Sequence, residues 1–304
     1  MMLSNEHKSF LNTHFSEVKY DASLKNYSRF RVGGFANAIV FPQTSQQLST
    51  LLPWLQKQRI PWIVIGAGSN ILFDDNGFRG IIISLANYTT ILWDGKIVHA
   101  GAGVSLKILC LHAIRNALAG MNFALGIPGT LGGAVRMNAG AHGNEIADIL
   151  ESIDCITPNG EYHHLKKDAL KLDYRNISWE HVVPKAVIIK ATLSLSPSDK
   201  KILREDAQKK MIKRRKTQPL GCACAGSFFK NPSENYSAGY LIERSGLKGF
   251  CIGDACVSQK HANFIVNSGQ ATSKEIIELM HHIQKSVQSQ FNIQLIPEVK
   301  IIHA

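Results

Sequence analysis

Acidic residues are scarce in this 304-residue chain: 23 Asp and Glu stand against 34 Lys and Arg, for a formal net charge of +11. Other absences exclude more. No apolar run approaches the roughly 18 residues that cross a bilayer, so no membrane partner is expected. The opening stretch MMLSNEHKSFLNTHF mixes charged and apolar residues and lacks the continuous apolar core of a secretory signal; the expected location is the cytoplasm. No G-x-x-x-x-G-K-[ST] phosphate loop occurs. A G-x-S-x-G nucleophile elbow is missing too, which disfavours hydrolase chemistry.

Cysteine is sparse. Six residues (Cys110, Cys155, Cys222, Cys224, Cys251, Cys256) are scattered without a small-scaffold pattern, and free thiols are the expectation. The one-residue gap of Cys222-x-Cys224 is not finger spacing, and no histidine sits at a matching offset from Cys251 and Cys256, so no metal is expected. The basic run DKKILREDAQKKMIKRRK (199–216) contains no aromatic residue to interleave with bases. Nucleic acid is therefore not the expected partner. A solvated helix or an anionic metabolite accounts for the surplus charge.

What is present reads as a mixed fold. ANAIVFP (36–42), PWIVIG (61–66) and RGIIISL (79–85) predict strands, with a helix over 44–58 capped by Thr44 or Ser45 and containing Pro53. From about 86 a second unit follows: a strand at 96–105, a helix at 105–118, a long glycine-rich segment and a strong strand at 186–197. Beyond the basic run come a helix near 237–245, a strand in HANFIVN, a helix over 273–291 with Ile276, Met280, Ile283, Val287 and Phe291 on one face, and a last strand in QLIPEVKIIH.

Two segments, GAGSN (66–70) and the run from Gly126 through Gly129, Gly132 and Gly133, can bring backbone N–H groups close to an anion. The first is no dinucleotide fingerprint, because Ile71 stands where the third glycine belongs. Each loop alone is better read as a set of turns; the two together, with RVGG (31–34) upstream, point to a long diphosphate ligand. Ser227, between AG and two phenylalanines, reads as a turn residue or as a hydroxyl held for chemistry. Glu298 in LIPEVKII is solvated or buried for a purpose, and Arg175 in DYRNISW is a surface cation or a carboxylate clamp.

RFRVGG, VIGAGSN, GIPGTLGGAVRMNAGAHG, DYRNISW, AGSFFKNP, VSQKHANFIVN and IPEVKII, in this order, resemble the UDP-N-acetylenolpyruvoylglucosamine reductase family of peptidoglycan synthesis, from about residue 20 onward. The resemblance implies an α+β fold: a two-subdomain FAD-binding region of the vanillyl-alcohol-oxidase type over 20–85 and 86–198, a substrate domain over 199–297, and a strand at 298–304 returning to the first subdomain. It implies non-covalent FAD, NADPH as hydride donor, a UDP-sugar enolpyruvyl ether as substrate, and a monomer.

Ser227 matches the proton donor, and Arg175 and Glu298 match residues that stabilise the enolate-like intermediate. Gly66, Ala67, Gly68, Ser69 and Asn70, with Gly126, Ile127, Pro128, Gly129, Thr130, Gly132, Gly133 and Ala134, match cofactor-binding segments. Tyr174, Lys230, Asn231 and His261 are the expected substrate contacts. The inserted tyrosine loop of one family branch is absent. Arg136 and Asp254 depart from the family pattern. A flavin oxidase of the same superfamily is the alternative, with His142 or Cys110 imagined as a covalent tether, although neither sits in a motif that argues for it.

Overall fold

The computed structural model describes residues 3–233 and 235–303. The chain divides into two compact units, one made of Met1–Tyr20, Asn37–Ala67 and Gly80–Ile212, the other of Asp21–Ala36, Gly68–Arg79 and Lys213–Ala304.

In the first unit, the helix Ser45–Lys57 begins where Thr44 accepts a hydrogen bond from the Gln47 N–H, and it buries Leu48, Leu51, Leu52 and Leu55. That i, i+3, i+4, i+7 spacing makes one apolar stripe. Pro53 is accommodated inside the helix without ending it. A four-stranded sheet runs in the order Val18–Ser23, Phe35–Val40, Phe78–Ser84, Trp62–Ile65, the last two parallel with Trp62 opposite Ile81. A five-stranded antiparallel sheet has the order Tyr162–Lys166, Leu150–Ile156, Val187–Ser194, Ile97–Gly101, Ile91–Asp94. Leu51, Val98, Leu109, Ile153 and Leu193 are fully buried in one continuous core. Each such side chain contributes about 1.5–3 kcal/mol.

A charge sits inside the antiparallel sheet. Asp154 lies between two cross-strand neighbours, accepting from His164 Nδ1 at 2.6 Å and pairing with Lys190 Nζ at 2.5 Å, with its own side chain 3% exposed. Burial alone would raise its pKa, but hydrogen bonds from Lys190, His164 and Tyr162 outweigh that and hold it below the usual carboxylate value. A depressed folded pKa means the stabilisation is present above the unfolded value of about 3.9 and is lost as pH falls through the folded one. Asp154→Asn is expected to destabilise the protein by roughly 1.5–3 kcal/mol at neutral pH. Denaturant titrations of both proteins should show the gap closing below about pH 4.

In the second unit, the helix Ser273–Phe291 opens with a capping box between Thr272 and Glu275. Its predicted stripe is observed: Ile276, Met280, Ile283 and Val287 are buried and Phe291 packs at the edge of the same core. A three-stranded antiparallel sheet, Cys251–Ile252, Ala255–Val257, Ile265–Asn267, completes this core. The strand expected over HANFIVN is only Ile265–Asn267, because His261 accepts from the Phe264 N–H and makes a turn of the preceding residues. The last strand is likewise confined to Lys300–Ile302, which pairs in parallel with Ile71–Phe73. The basic run is the helix Lys200–Thr217.

The cysteine expectation is corrected here. Cys251 and Cys256 are directly opposite in a hairpin, Cα to Cα 4.1 Å, and form a disulfide; Cys110, Cys155, Cys222 and Cys224 are free. The hairpin register, set by the turn at Gly253 and Asp254, brings the two thiols together.

Candidate active site

The two glycine segments meet in the first unit. GAGSN follows directly on the strand Trp62–Ile65, and a Cβ on Gly66 would sit 2.3 Å from Thr130 Oγ1. Thr130 precedes the helix Leu131–Arg136, which is docked by backbone bonds from Leu131 N–H to the Val104 carbonyl and from Gly132 N–H to the Ala102 carbonyl. Side-chain bulk is therefore excluded at Gly66, where the loops touch, and the wall there is glycine main chain against the small Thr130 hydroxyl. This is the lining a diphosphate needs. The residues present fit FAD.

Arg175 and Tyr174 form the turn between the strands Lys171–Asp173 and Asn176–Ser178. Arg175 has φ 57°, its guanidinium donates to the Gly140 carbonyl at 3.1 Å, and it lies 5.0 Å from the Tyr174 ring centroid. The guanidinium is thus held by the segment that continues from the second glycine loop.

The second unit holds Gly68, Ser69 and Asn70 together with Ser227, Lys230, Asn231, His261 and Glu298. Gly68 has φ 60°, and a Cβ there would lie 1.8 Å from the Tyr27 carbonyl oxygen. Asn70 Nδ2 donates to the Glu298 carbonyl at 3.0 Å, and the Lys300 N–H returns a bond to the Asn70 carbonyl at 3.0 Å. Glu298 N–H donates to the Phe228 carbonyl at 2.8 Å, and Lys230 N–H to the Ile296 carbonyl at 2.9 Å. The first glycine segment, the proton-donor candidate and the carboxyl candidate are consequently zipped together through main chain.

Phe228 and Phe229 are each 1% exposed, whereas Ser227 and Glu298 are half-buried. The aromatic pair anchors the segment; its polar neighbours stay at the boundary.

His261 is largely desolvated, and burial followed by the nearby Lys248 charge lowers its pKa from the ordinary value. It is neutral at pH 7, with Nδ1 accepting from the Asn263 N–H at 3.2 Å, so Nε2 carries the proton. Asn231 Oδ1 accepts at 3.1 Å from the N–H of Ala238, the first residue of the helix Ala238–Arg244, whose N-cap is Ser237. Cys110, the imagined flavin tether, is fully buried, donates to the Met121 carbonyl, and is pushed up to about 12 by burial. It is no nucleophile.

Comparison with known proteins now decides the family. A profile described as FAD binding domain matches residues 36–166, and one described as UDP-N-acetylenolpyruvoylglucosamine reductase, C-terminal domain, matches 218–302. The UDP-N-acetylenolpyruvoylglucosamine reductase of Clostridium beijerinckii is 39% identical over 287 residues, 94% of this chain and 93% of its own. That of Caldanaerobacter subterraneus subsp. tengcongensis is 36% identical over 279 residues, 92% of this chain and 91% of its own. The crystal structure of the Thermus caldophilus UDP-N-acetylenolpyruvylglucosamine reductase matches with TM-score 0.79 at 34% identity, covering 94% of this chain and 98% of that one.

The chain belongs to the UDP-N-acetylenolpyruvoylglucosamine reductase family. An alkyldihydroxyacetonephosphate synthase structure, 18% identical with TM-score 0.50 over 64% of this chain, shares the fold alone. The α+β fold with a flavin-binding region, implied by the sequence motifs, stands.

Both departures from the reductase pattern have structural explanations. Arg136 donates to Asn176 Oδ1 at 2.8 Å and the Ile177 carbonyl at 2.7 Å, pairs with Glu180 at 3.0 Å, and lies over the Trp179 ring. It clamps the strand after Arg175. Asp254 Oδ2 accepts from the Gln270 N–H at 2.7 Å and closes a loop.

Two residues of this reductase escaped sequence reasoning. Asn138, fully buried, accepts from the Ala147 N–H and donates to the Asp173 carbonyl, fixing the hairpin that carries Arg175. Asn263, 3% exposed, accepts from the Phe229 N–H at 2.9 Å and donates to the Phe229 carbonyl at 2.8 Å. The available signal was an amide inside an apolar run, as in HANFIVN.

Proposed function

We propose that this protein reduces UDP-N-acetyl-3-O-(1-carboxyvinyl)glucosamine to UDP-N-acetylmuramate, with FAD bound non-covalently and NADPH as the donor. Held by these segments, FAD would supply the hydride chemistry that links NADPH to the enolpyruvyl double bond. The Ser227 hydroxyl gives a proton to the carbon beside the substrate carboxylate, completing addition of two hydrogens. Negative charge pushed toward that carboxylate is met by Arg175, and by Glu298 sharing a proton.

Residues 66–70 and 126–134 hold the cofactor through main-chain N–H groups. Tyr174, Lys230, His261 Nε2–H and the Asn231 amide nitrogen contact the substrate. The protein works in the cytoplasm as a monomer, without nucleic acid, and divides functionally at about 20–85, 86–198 and 199–297.

The observation that supports this reading is the zipper of Phe228 to Glu298 to Asn70, which bonds the main-chain segments that carry Ser227 and Glu298 to each other and to a glycine loop. Purified protein should be yellow, acid precipitation should release its flavin into solution, and the UDP-sugar should trigger NADPH consumption with a product two hydrogens heavier. Flavin retained in the pellet, with oxygen consumed in place of the UDP-sugar, would support the oxidase and end the reductase assignment.

A further inference from the structure

The second unit carries a concentration of positive charge that the reaction above leaves unused. Lys25, Arg29 and Arg31 line an open pocket of about 510 Å³ whose wall also includes Gly221, Cys222 and Ala223. All three cationic side chains are exposed. Among the described residues none of them pairs with a carboxylate.

The turn that presents them is secured from within. Arg31 N–H donates to the Ser28 carbonyl at 3.0 Å, Phe30 N–H to Ser28 Oγ at 3.2 Å, and Arg29 N–H to the Gly68 carbonyl at 3.1 Å. The backbone needs nothing from the cationic side chains. A fourth cation stands close by: Arg214 has a buried Nε with no hydrogen-bond partner among the described residues. Burial, and then the charge of Arg29, lowers its pKa from the usual guanidinium value.

Like charges gathered without counter-ions repel one another, and an orphaned buried donor is rare in a native protein. An anion in the pocket would relieve the repulsion among Lys25, Arg29 and Arg31, and the field on Arg214 with it. Two planar arginine forks and a lysine suit a tetrahedral oxyanion carrying close to two charges better than a single carboxylate. We propose that this pocket binds a phosphomonoester. The 2′-phosphate that distinguishes NADPH from NADH and a free phosphorylated metabolite both carry that chemistry.

Position brings the nicotinamide donor into play. Ala223 precedes Ser227 by four residues, a span of at most about 14 Å, and Arg29 is bonded to Gly68 of the first glycine segment. The choice between the two sources rests on the reductase reading; the phosphate site itself does not.

The test begins with inorganic phosphate titrated into the flavin-loaded protein by calorimetry, comparing wild type with Lys25→Ala/Arg29→Ala. Both side chains are exposed, and an unchanged flavin absorption spectrum confirms an intact fold. Phosphate affinity is expected to fall at least about tenfold, the equivalent of about 1.4 kcal/mol. Anaerobic flavin reduction then separates the sources. If the 2′-phosphate is the occupant, the preference for NADPH over NADH falls at least about tenfold in the variant. If a phosphorylated metabolite is the occupant, phosphate binding is lost and the preference is unmoved. The proposal is overturned when neither phosphate binding nor the preference responds to the substitutions. Failure of the reductase reading would look different: protein without flavin, or no turnover of the UDP-sugar.

Discussion

Ser227→Ala is expected to slow reduction of the UDP-sugar by about 10²–10⁴-fold, the usual contribution of a positioned general acid, while NADPH-driven flavin reduction is nearly unaffected. The asymmetry follows from what each half-reaction needs. Hydride transfer from a nicotinamide to a flavin draws no proton from this hydroxyl; adding hydrogen across the enolpyruvyl double bond requires a proton at the second carbon. Serine is a poor acid in water, so its contribution depends on being held at the reacting atom. The structure supplies that restraint: Phe228 N–H and carbonyl are bonded to Asn263 and Glu298, and Phe229 is bonded on both sides by the Asn263 amide. Anaerobic stopped-flow with each half-reaction run separately makes the measurement. Equal losses in both halves would remove Ser227 from the proton-donor role and leave it a turn residue.

Much of this arrangement was legible in the chain, and the misses have two causes. The helix Ser273–Phe291 was readable because its apolar spacing and its Thr272–Glu275 capping box are local. Asn263 was not, because its partner lies 34 residues away and a lone amide in an apolar run does not say what it bonds. Asn138 serves partners both 9 and 35 residues distant, with the same result. The cysteines failed differently. Compartment and spacing argued for free thiols, but the register of one hairpin places Cys251 opposite Cys256, and composition cannot report register. The terminal strand shrank because the segment before Lys300 makes its bonds to Phe228 and Asn70 instead of to a continuous ladder. Sequence pattern reports periodicity well; it says little about which distant main-chain group a polar side chain will satisfy.

Gly68→Ala should cost the protein its flavin. At φ 60° an alanine carries the left-handed penalty, about 1–2 kcal/mol. The larger effect is steric: the added carbon would lie 1.8 Å from the Tyr27 carbonyl oxygen, a backbone atom with no rotamer to change. Either the 66–70 segment or the Tyr27–Ser28 turn must move, and the first carries Asn70 with its bond to the Glu298 carbonyl. Cofactor lining and carboxyl position are displaced together. Gly95→Ala isolates the dihedral term, since Gly95 has φ 56° and its Cβ would meet nothing within 4 Å. The flavin-to-protein absorbance ratio and the thermal midpoint of both variants make the comparison. Gly95→Ala is expected to stay within about 1–2 kcal/mol of wild type with its flavin bound, whereas Gly68→Ala emerges largely colourless and less stable. Full flavin occupancy in Gly68→Ala, with a midpoint matching Gly95→Ala, would mean that the close approach at Tyr27 does not shape the cofactor site.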